Sequence, residues 1–271
     1  MVPCVDVLGV RFPRLTRAAA VAALIDAVDR RLTIGVAFPD MSTLNIASRQ
    51  PAFRSLLQRR VLTLNDGAGL AIVARFLRRR PFPDNLNGTD LCPDLLGRVP
   101  RGTTVFLLGA KPGVAERAEE SLRGRFPHVS FVGHHHGYLD DQTEADVVAT
   151  LRRLRPQIVF VGMGNPLQVE LIDRHLDDPD LAGMTWLAVG GQLDYYGGDL
   201  VRAPRWIVRA RLEWLYLVVR QPHKAGRYLL GIPRFLARST WAEVRSRHDA
   251  PAGVVNQSAT RLAGWGQTAI G

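Results

Sequence analysis

Ile158-Val159-Phe160-Val161-Gly162-Met163-Gly164-Asn165-Pro166-Leu167-Gln168 is the stretch on which the fold turns. Four apolar residues, mostly β-branched and closed at once by two glycines, read as a buried strand and a tight turn. Pro166 then fits the first position of a helix, where a missing N–H is harmless. The pattern returns at Thr185-Trp186-Leu187-Ala188-Val189, which runs into Gly190-Gly191-Gln192-Leu193-Asp194. Two strand ends thus deliver glycines, amides and a carboxylate to one edge of a parallel sheet. An arginine-rich segment follows, with Arg202-Ala203-Pro204-Arg205-Trp206 and Arg211-Leu212-Glu213-Trp214. Backbone amides at helix starts, beside arginines, suit a phosphorylated ligand.

Outward from this stretch the same unit recurs. Ile34 to Phe38 reads as a strand ending near Asp40, Thr43 and Asn45, with a helix following to about Gln58. Val61 to Leu64 is a short strand broken by Asn65-Asp66-Gly67-Ala68-Gly69, with a helix to about Arg78 and a basic loop from Arg79 to Asn87. Gly88 opens another helix, with Thr89 or Asp90 as its cap. Nearer the N-terminus, Val5 to Val10 reads as one short strand, and Thr16 caps a helix reaching Arg30. In the second half, Thr104 to Leu108 is a strand, Gly109-Ala110-Lys111-Pro112-Gly113 its turn, and Val114 to Arg125 the helix. Val129 to Val132 is a strand leading to Gly133-His134-His135-His136-Gly137-Tyr138, then a helix from about Glu144 to Arg155. Repeated units of this length predict an α/β fold, a Rossmann-like parallel sheet flanked by helices. The expected division is a core over 1–197, a basic helical C-terminal appendage over 198–248, and a small, polar tail over 249–271.

Composition narrows the class. A chain of 271 residues with 46% apolar content can bury a full core. The two cysteines, Cys4 and Cys92, make no disulfide framework and suit a reducing compartment. No basic-then-apolar leader opens the chain, and no apolar run approaches the roughly 20 residues of a spanning helix. The expectation is a protein that is soluble or lies on a membrane without crossing it. The formal charge is +10, and between 202 and 247 eleven basic residues face only Glu213 and Glu243. Such a block suits an anionic partner: nucleic acid, an anionic bilayer or a diphosphate. The interleaved Trp206, Trp214, Tyr216 and Trp241 fit lipid headgroups, and fit core packing equally.

Gly162-x-Gly164-x-Pro166-x-Gln168, Gly190-Gly191-x-x-Asp194, Arg202-Ala203-Pro204 and Leu212-Glu213-Trp214, in this order and spacing, resemble the WecG/TagA/CpsF glycosyltransferase family. The likeness runs from about Val5 to about Phe235. It implies transfer, with inversion, of a hexose-type sugar (N-acetylmannosamine, its uronic acid or glucose) from a UDP-sugar to a polyprenyl-diphosphate-linked sugar. The setting it implies is exopolysaccharide, capsule or teichoic-acid assembly, with a cytoplasmic enzyme peripheral on the cytoplasmic face of the inner membrane. It implies no metal and no cofactor, so the charge of the departing nucleotide would fall to amides, Lys111 and arginines.

Residue roles follow from the same resemblance. Asp66, in Asp66-Gly67-x-Gly69, would be the general base for the acceptor hydroxyl; read alone, an Asp at this place is a helix cap. Thr43 and Asn45 match a Thr-x-Asn motif that places sugar or acceptor, although turn chemistry accounts for them as well. Gly109 and Lys111 belong to a nucleotide-diphosphate loop that is neither a Walker A motif nor the dinucleotide fingerprint. His136, in a His-Gly-aromatic motif, joins the sugar pocket, and Gly164, Gln168, Gly191 and Asp194 join the donor site. Arg202, Arg205, Arg209 and Arg211 would meet the acceptor diphosphate or the lipid surface, or close over the site. Two departures stand out: Leu167 where the family usually has lysine, and Asn85 where it commonly has an arginine three residues before Gly88.

Neighbouring histidines on an extended segment point to opposite faces, so His134 to His136 predict no metal site. Asp178-Pro179-Asp180 reads as a turn. A nucleic-acid-binding α/β protein would explain the charge but not the glycine-ended strands, so no nucleic acid is expected as partner. A nicotinamide-dependent oxidoreductase lacks its fingerprint. Homo-oligomerisation is left open by the sequence.

Overall fold

Six short apolar strands supply the frame. The computed structural model describes residues 2–200, 235 and 237–241. A two-stranded antiparallel hairpin, β1 (Cys4–Val7) and β2 (Val10–Pro13), stands apart from the main sheet. The main sheet holds β3 (Ile34–Ala37), β4 (Val61–Thr63), β5 (Thr104–Gly109), β6 (Ser130–His135), β7 (Ile158–Gly162) and β8 (Thr185–Ala188). Their order is β4-β3-β8-β7-β5-β6, and every neighbouring pair is parallel.

Both faces of this sheet are covered. In β7, Val159 and Val161 point into one apolar core while Ile158 and Phe160 point into the other. That alternation is the two-residue period of a strand, and burial on both sides explains why the segment is apolar throughout. One core is closed by the hairpin, α2 (Met41–Ala47), α3 (Pro51–Arg59), α7 (Asp141–Leu154) and α8 (Leu167–His175). The other is closed by α1 (Arg17–Asp29), α5 (Gly88–Leu96), α6 (Val114–Arg125) and α9 (Gln192–Tyr196). The chain leaves β5 toward the second layer and leaves β7 toward the first. These two strands are neighbours, so a crevice opens between their carboxyl ends, where open α/β sheets take ligands.

Several boundaries differ from the sequence reading, each for a local reason. The strand expected over Val5 to Val10 is two strands: Leu8 (φ +54°) and Gly9 (φ +82°) form a left-handed two-residue turn, and Asp6 accepts from the Gly9 N–H at 3.0 Å. The single helix expected to Gln58 is α2 and α3, because Pro51 opens a new helix. Thr43 and Asn45 therefore sit on a helix and not at a strand end. Neither Thr89 nor Asp90 caps α5; Asn87 does, accepting from Asp90 N at 2.8 Å. Strand β6 continues through His134 and His135, and α7 starts earlier, capped by Asp140. The helix after Asp66 is α4 (Ala68–Ile72), which widens into a π-helical turn over Val73–Leu77. Thr16 caps α1 as expected, and Asp178-Pro179-Asp180 forms a short turn of 3₁₀ helix held by an Arg152–Asp178 pair at 2.8 Å.

The expected appendage and tail lie almost wholly outside the described residues. So do Arg202, Arg205, Arg209 and Arg211, together with Trp206, Trp214 and Tyr216. Beyond residue 200, Phe235 is fully buried in the first of the two apolar cores, and Arg238 reaches Ser48 Oγ at 2.6 Å and Asn45 Oδ1 at 3.5 Å. Among the described residues no helix is long and apolar enough to cross a membrane.

Candidate active site

Parallel strands end together, so the loops after β3, β4, β5, β6, β7 and β8 share one edge. The expected core site residues lie at these strand ends, on these loops or on the helices that directly follow them.

The closest approach is between β5 and β7. A Cβ on Gly109 would lie 2.5 Å from Gly162 O, and a Cβ on Gly162 would lie 2.7 Å from Gly190 O. Only glycine permits these three strand ends to touch. The Ala110 N–H donates to Gly162 O at 2.9 Å, and Gly137 N donates to Ala110 O at 2.9 Å, so the His136 segment is tied across the same ends. Beyond Ala110 the turn carries Lys111, exposed, and α6 begins at Gly113 without any side-chain cap. The turn after β5 thus carries helix-start amides and an exposed lysine, groups of the kind that hold an anion.

Gln168 is the centre of the edge. It is 3% exposed. Its Oε1 accepts from Gly164 N (3.2 Å) and Gly190 N (3.0 Å), while its Nε2 donates to Asn165 Oδ1 (3.1 Å) and Ala188 O (3.4 Å). All four hydrogen-bonding positions of the amide are thus used inside the protein. Through these bonds Gln168 staples the Gly164 turn to the Gly190 turn. Asn165 extends the chain: its Nδ2 donates to Thr43 Oγ1 at 3.0 Å, and Thr43 gives its own proton to Asp40 Oδ1 at 2.7 Å. Asp40 also caps α2 by accepting from Thr43 N at 2.8 Å. Thr43 is 3% exposed and holds α2 to the β7 loop. Asp40 and Asn165 were not among the expected site residues; the Asp-x-x-Thr spacing ahead of α2 was the available signal for the first.

Asp66 follows β4, half-buried, its N–H donating to Pro39 O at 3.3 Å. The turn around it is fastened on both sides. Asn65 donates to Asp84 O at 2.9 Å and accepts from Leu86 N at 3.0 Å, and Gly67 N donates to Asn85 Oδ1 at 2.9 Å. Asn85, at the position of the family's usual arginine, is thus a support for the Asp66 turn. Asn45 is half-buried on α2 and faces Arg238. Asp194 stands on α9, its carboxylate over Gly191: a Cβ there would be 3.5 Å from Asp194 Oδ2. Gly164 (φ +80°) leaves open space where a side chain would be.

The histidines separate as their alternation requires. His134 turns outward to Glu119 at 2.7 Å, and His135 Nδ1 lies 2.8 Å from His136 O. Among the described residues the buried His136 Nδ1 has no hydrogen-bond partner, and the next residue, Gly137, is tied to Ala110. A buried imidazole nitrogen left unmatched costs free energy that a ligand can recover.

Fold and edge together define a doubly wound α/β protein whose strand ends bring glycine turns, helix starts and the Asp66 carboxylate to one side of the sheet. The chain belongs to the glycosyl transferase WecG/TagA/CpsF family, whose model matches residues 5–249. It is 32% identical over 237 residues to the N-acetylglucosaminyldiphosphoundecaprenol N-acetyl-beta-D-mannosaminyltransferase of Staphylococcus aureus strain MW2, covering 86% of this chain and 90% of the relative. The proteins of the same name from strains NCTC 8325 / PS 47 and MRSA252 are similar to the same extent. The chain is accordingly a glycosyltransferase, as its motifs imply.

Proposed function

We propose that the chain moves an N-acetylmannosaminyl residue, or a close hexose relative, from a UDP-sugar to a sugar carried on polyprenyl diphosphate. The observation that carries this reading is the placement of Asp66 and of the Gly109–Gly113 turn on one sheet edge, in a chain alike over 86% of its length to enzymes of that name. The Asp66 carboxylate takes the proton of the acceptor hydroxyl as that oxygen bonds to the anomeric carbon from the side opposite the nucleotide. The bond from that carbon to the β-phosphate oxygen breaks, and UDP leaves with inverted stereochemistry in the product. Lys111 and the amides of its turn face the departing diphosphate. Gly164, Gly191, Asp194 and the unmatched Nδ1 of His136 line the donor side; Asn45 and the Arg238 segment lie toward the acceptor. Arg202, Arg205, Arg209 and Arg211 are proposed for the acceptor diphosphate or the lipid surface. Because such an acceptor is anchored in a bilayer, the enzyme works at the cytoplasmic membrane face. Incubating the purified chain with UDP-N-acetylmannosamine and an N-acetylglucosaminyl-diphospholipid tests this. The expected products are equimolar UDP and a β-linked disaccharide lipid; UDP release with no new lipid would overturn it.

A further inference from the structure

Residues 67–83 contain four arginines and no carboxylate. They comprise α4, its π-helical extension to Leu77 and the loop that follows, directly after Asp66. One side of this element is core: Leu70, Val73 and Ala74 are buried against the hairpin and the sheet. The other side is not. Ile72 is 44% exposed and Phe76 is 68% exposed. They are four residues apart and so neighbours on one helical face. The Arg75 guanidinium lies over the Phe76 ring at 5.9 Å, and Arg79 and Arg80 are exposed just beyond. Arg78 alone turns inward, toward Asp6 at 3.8 Å. The result is an apolar pair rimmed by three outward arginines.

We propose that this face seats the glycosyltransferase core on an anionic bilayer, with Ile72 and Phe76 entering the headgroup boundary and Arg75, Arg79 and Arg80 meeting lipid phosphates. Charge selects this occupant. A second copy docking by two-fold symmetry would set the patch against itself, arginine facing arginine; an anionic surface matches all three. Position agrees, on the reading that the acceptor is lipid-anchored. Phe76 lies ten residues beyond Asp66, so by the rise of a helix and of extended chain the two are within about 20 Å. A second exposed aromatic, Trp241 at 69%, is carried by the segment whose Arg238 contacts α2, and Met41 at the start of α2 packs against Gly69 of α4. Two apolar anchors therefore flank α2.

The test is co-sedimentation of the full chain with phosphatidylcholine vesicles with and without phosphatidylglycerol. Wild type should bind only the anionic vesicles and be released by salt. Each of Arg75→Gln, Arg79→Gln and Arg80→Gln should weaken binding about fivefold. The Ile72→Ser/Phe76→Ser double variant should weaken it at least about tenfold while remaining folded by circular dichroism, since Phe76 is mostly and Ile72 partly in solvent. Binding by these variants equal to wild type would overturn the proposal. So would loss of a dimer in the Ser variant, by sedimentation velocity, with vesicle binding intact. In transfer assays the Ser variant should lose about tenfold toward a bilayer-embedded acceptor and nothing toward a short-chain soluble one. No transfer by wild type to either acceptor would refute the catalytic reading alone, because vesicle binding is read independently.

Discussion

Replacing Gln168 by Leu removes the staple between the Gly164 and Gly190 turns. The side chain is 3% exposed and makes four hydrogen bonds, two of them accepting from backbone N–H groups that have no other acceptor among the described residues. A buried donor left unmatched costs about 1–3 kcal/mol. Both N–H groups are only partly buried, which places the total near about 2–4 kcal/mol. For a domain of this size each kcal/mol moves the melting temperature by roughly 2–4 °C, so the expected drop is about 4–16 °C. Thermal unfolding followed by circular dichroism gives the drop, and UDP titration gives the consequence at the site. Gln168→Glu refines the test, because its oxygens still accept from Gly164 and Gly190 but cannot donate to Asn165 and Ala188. Its carboxylate would be buried against two acceptor oxygens, so at neutral pH its melting temperature should fall at least as far as that of the Leu variant. A Leu variant that melts within about a degree of wild type refutes the staple. If that variant also loses UDP affinity, Gln168 touches the donor directly.

Three further outcomes follow from the same geometry. Gly109→Ala should abolish soluble folded protein, since its Cβ would lie 2.5 Å from Gly162 O, whereas Gly164→Ala, with open space around it, should cost only about 1–2 kcal/mol of backbone strain in chemical denaturation. Lys111→Ala should weaken UDP about fivefold at low salt, an effect that fades as ionic strength rises, because the lysine is exposed and its charge is screened. Glu144 pairs with Arg174 at 2.7 Å and lies 3.0 Å from His175; burial pushes its carboxyl up, but these contacts outweigh burial and hold it below its ordinary 4.5. Its contribution is therefore present above that value and lost as pH falls through the lower folded one, so Glu144→Gln should flatten the melting-temperature profile between about pH 5 and 3.

Much of the frame was legible because strand and helix periods are local. The apolar runs of β5, β7 and β8, with glycines at their ends, stand where they were expected, and α6 spans the residues read for it. The errors fell where a side chain decides a boundary through its own hydrogen bond. Asn87, not its neighbours, caps α5, and Leu8 adopts a left-handed turn that propensity assigns to smaller residues. Pro51 was visible as a break and was still read through. At the site, the sequence placed Asp66, Lys111 and the glycines on one edge, since parallel topology alone guarantees that. It gave no means to see that Thr43 and Gln168 face inward as parts of one chain of bonds from Asp40 to Gly190. Such links join residues 122 apart, Thr43 and Asn165, and exist only once β3, β7 and β8 are adjacent.

The central claim is that Asp66 performs proton abstraction at a donor site built by other residues. The most direct measurement is a paired one on Asp66→Asn: UDP affinity by calorimetry and transfer to an N-acetylglucosaminyl-diphospholipid. The account predicts UDP affinity within about twofold of wild type, with turnover reduced about 10²–10⁴-fold. Turnover that survives the substitution would contradict it, and so would a loss of UDP binding that alone accounts for the lost activity.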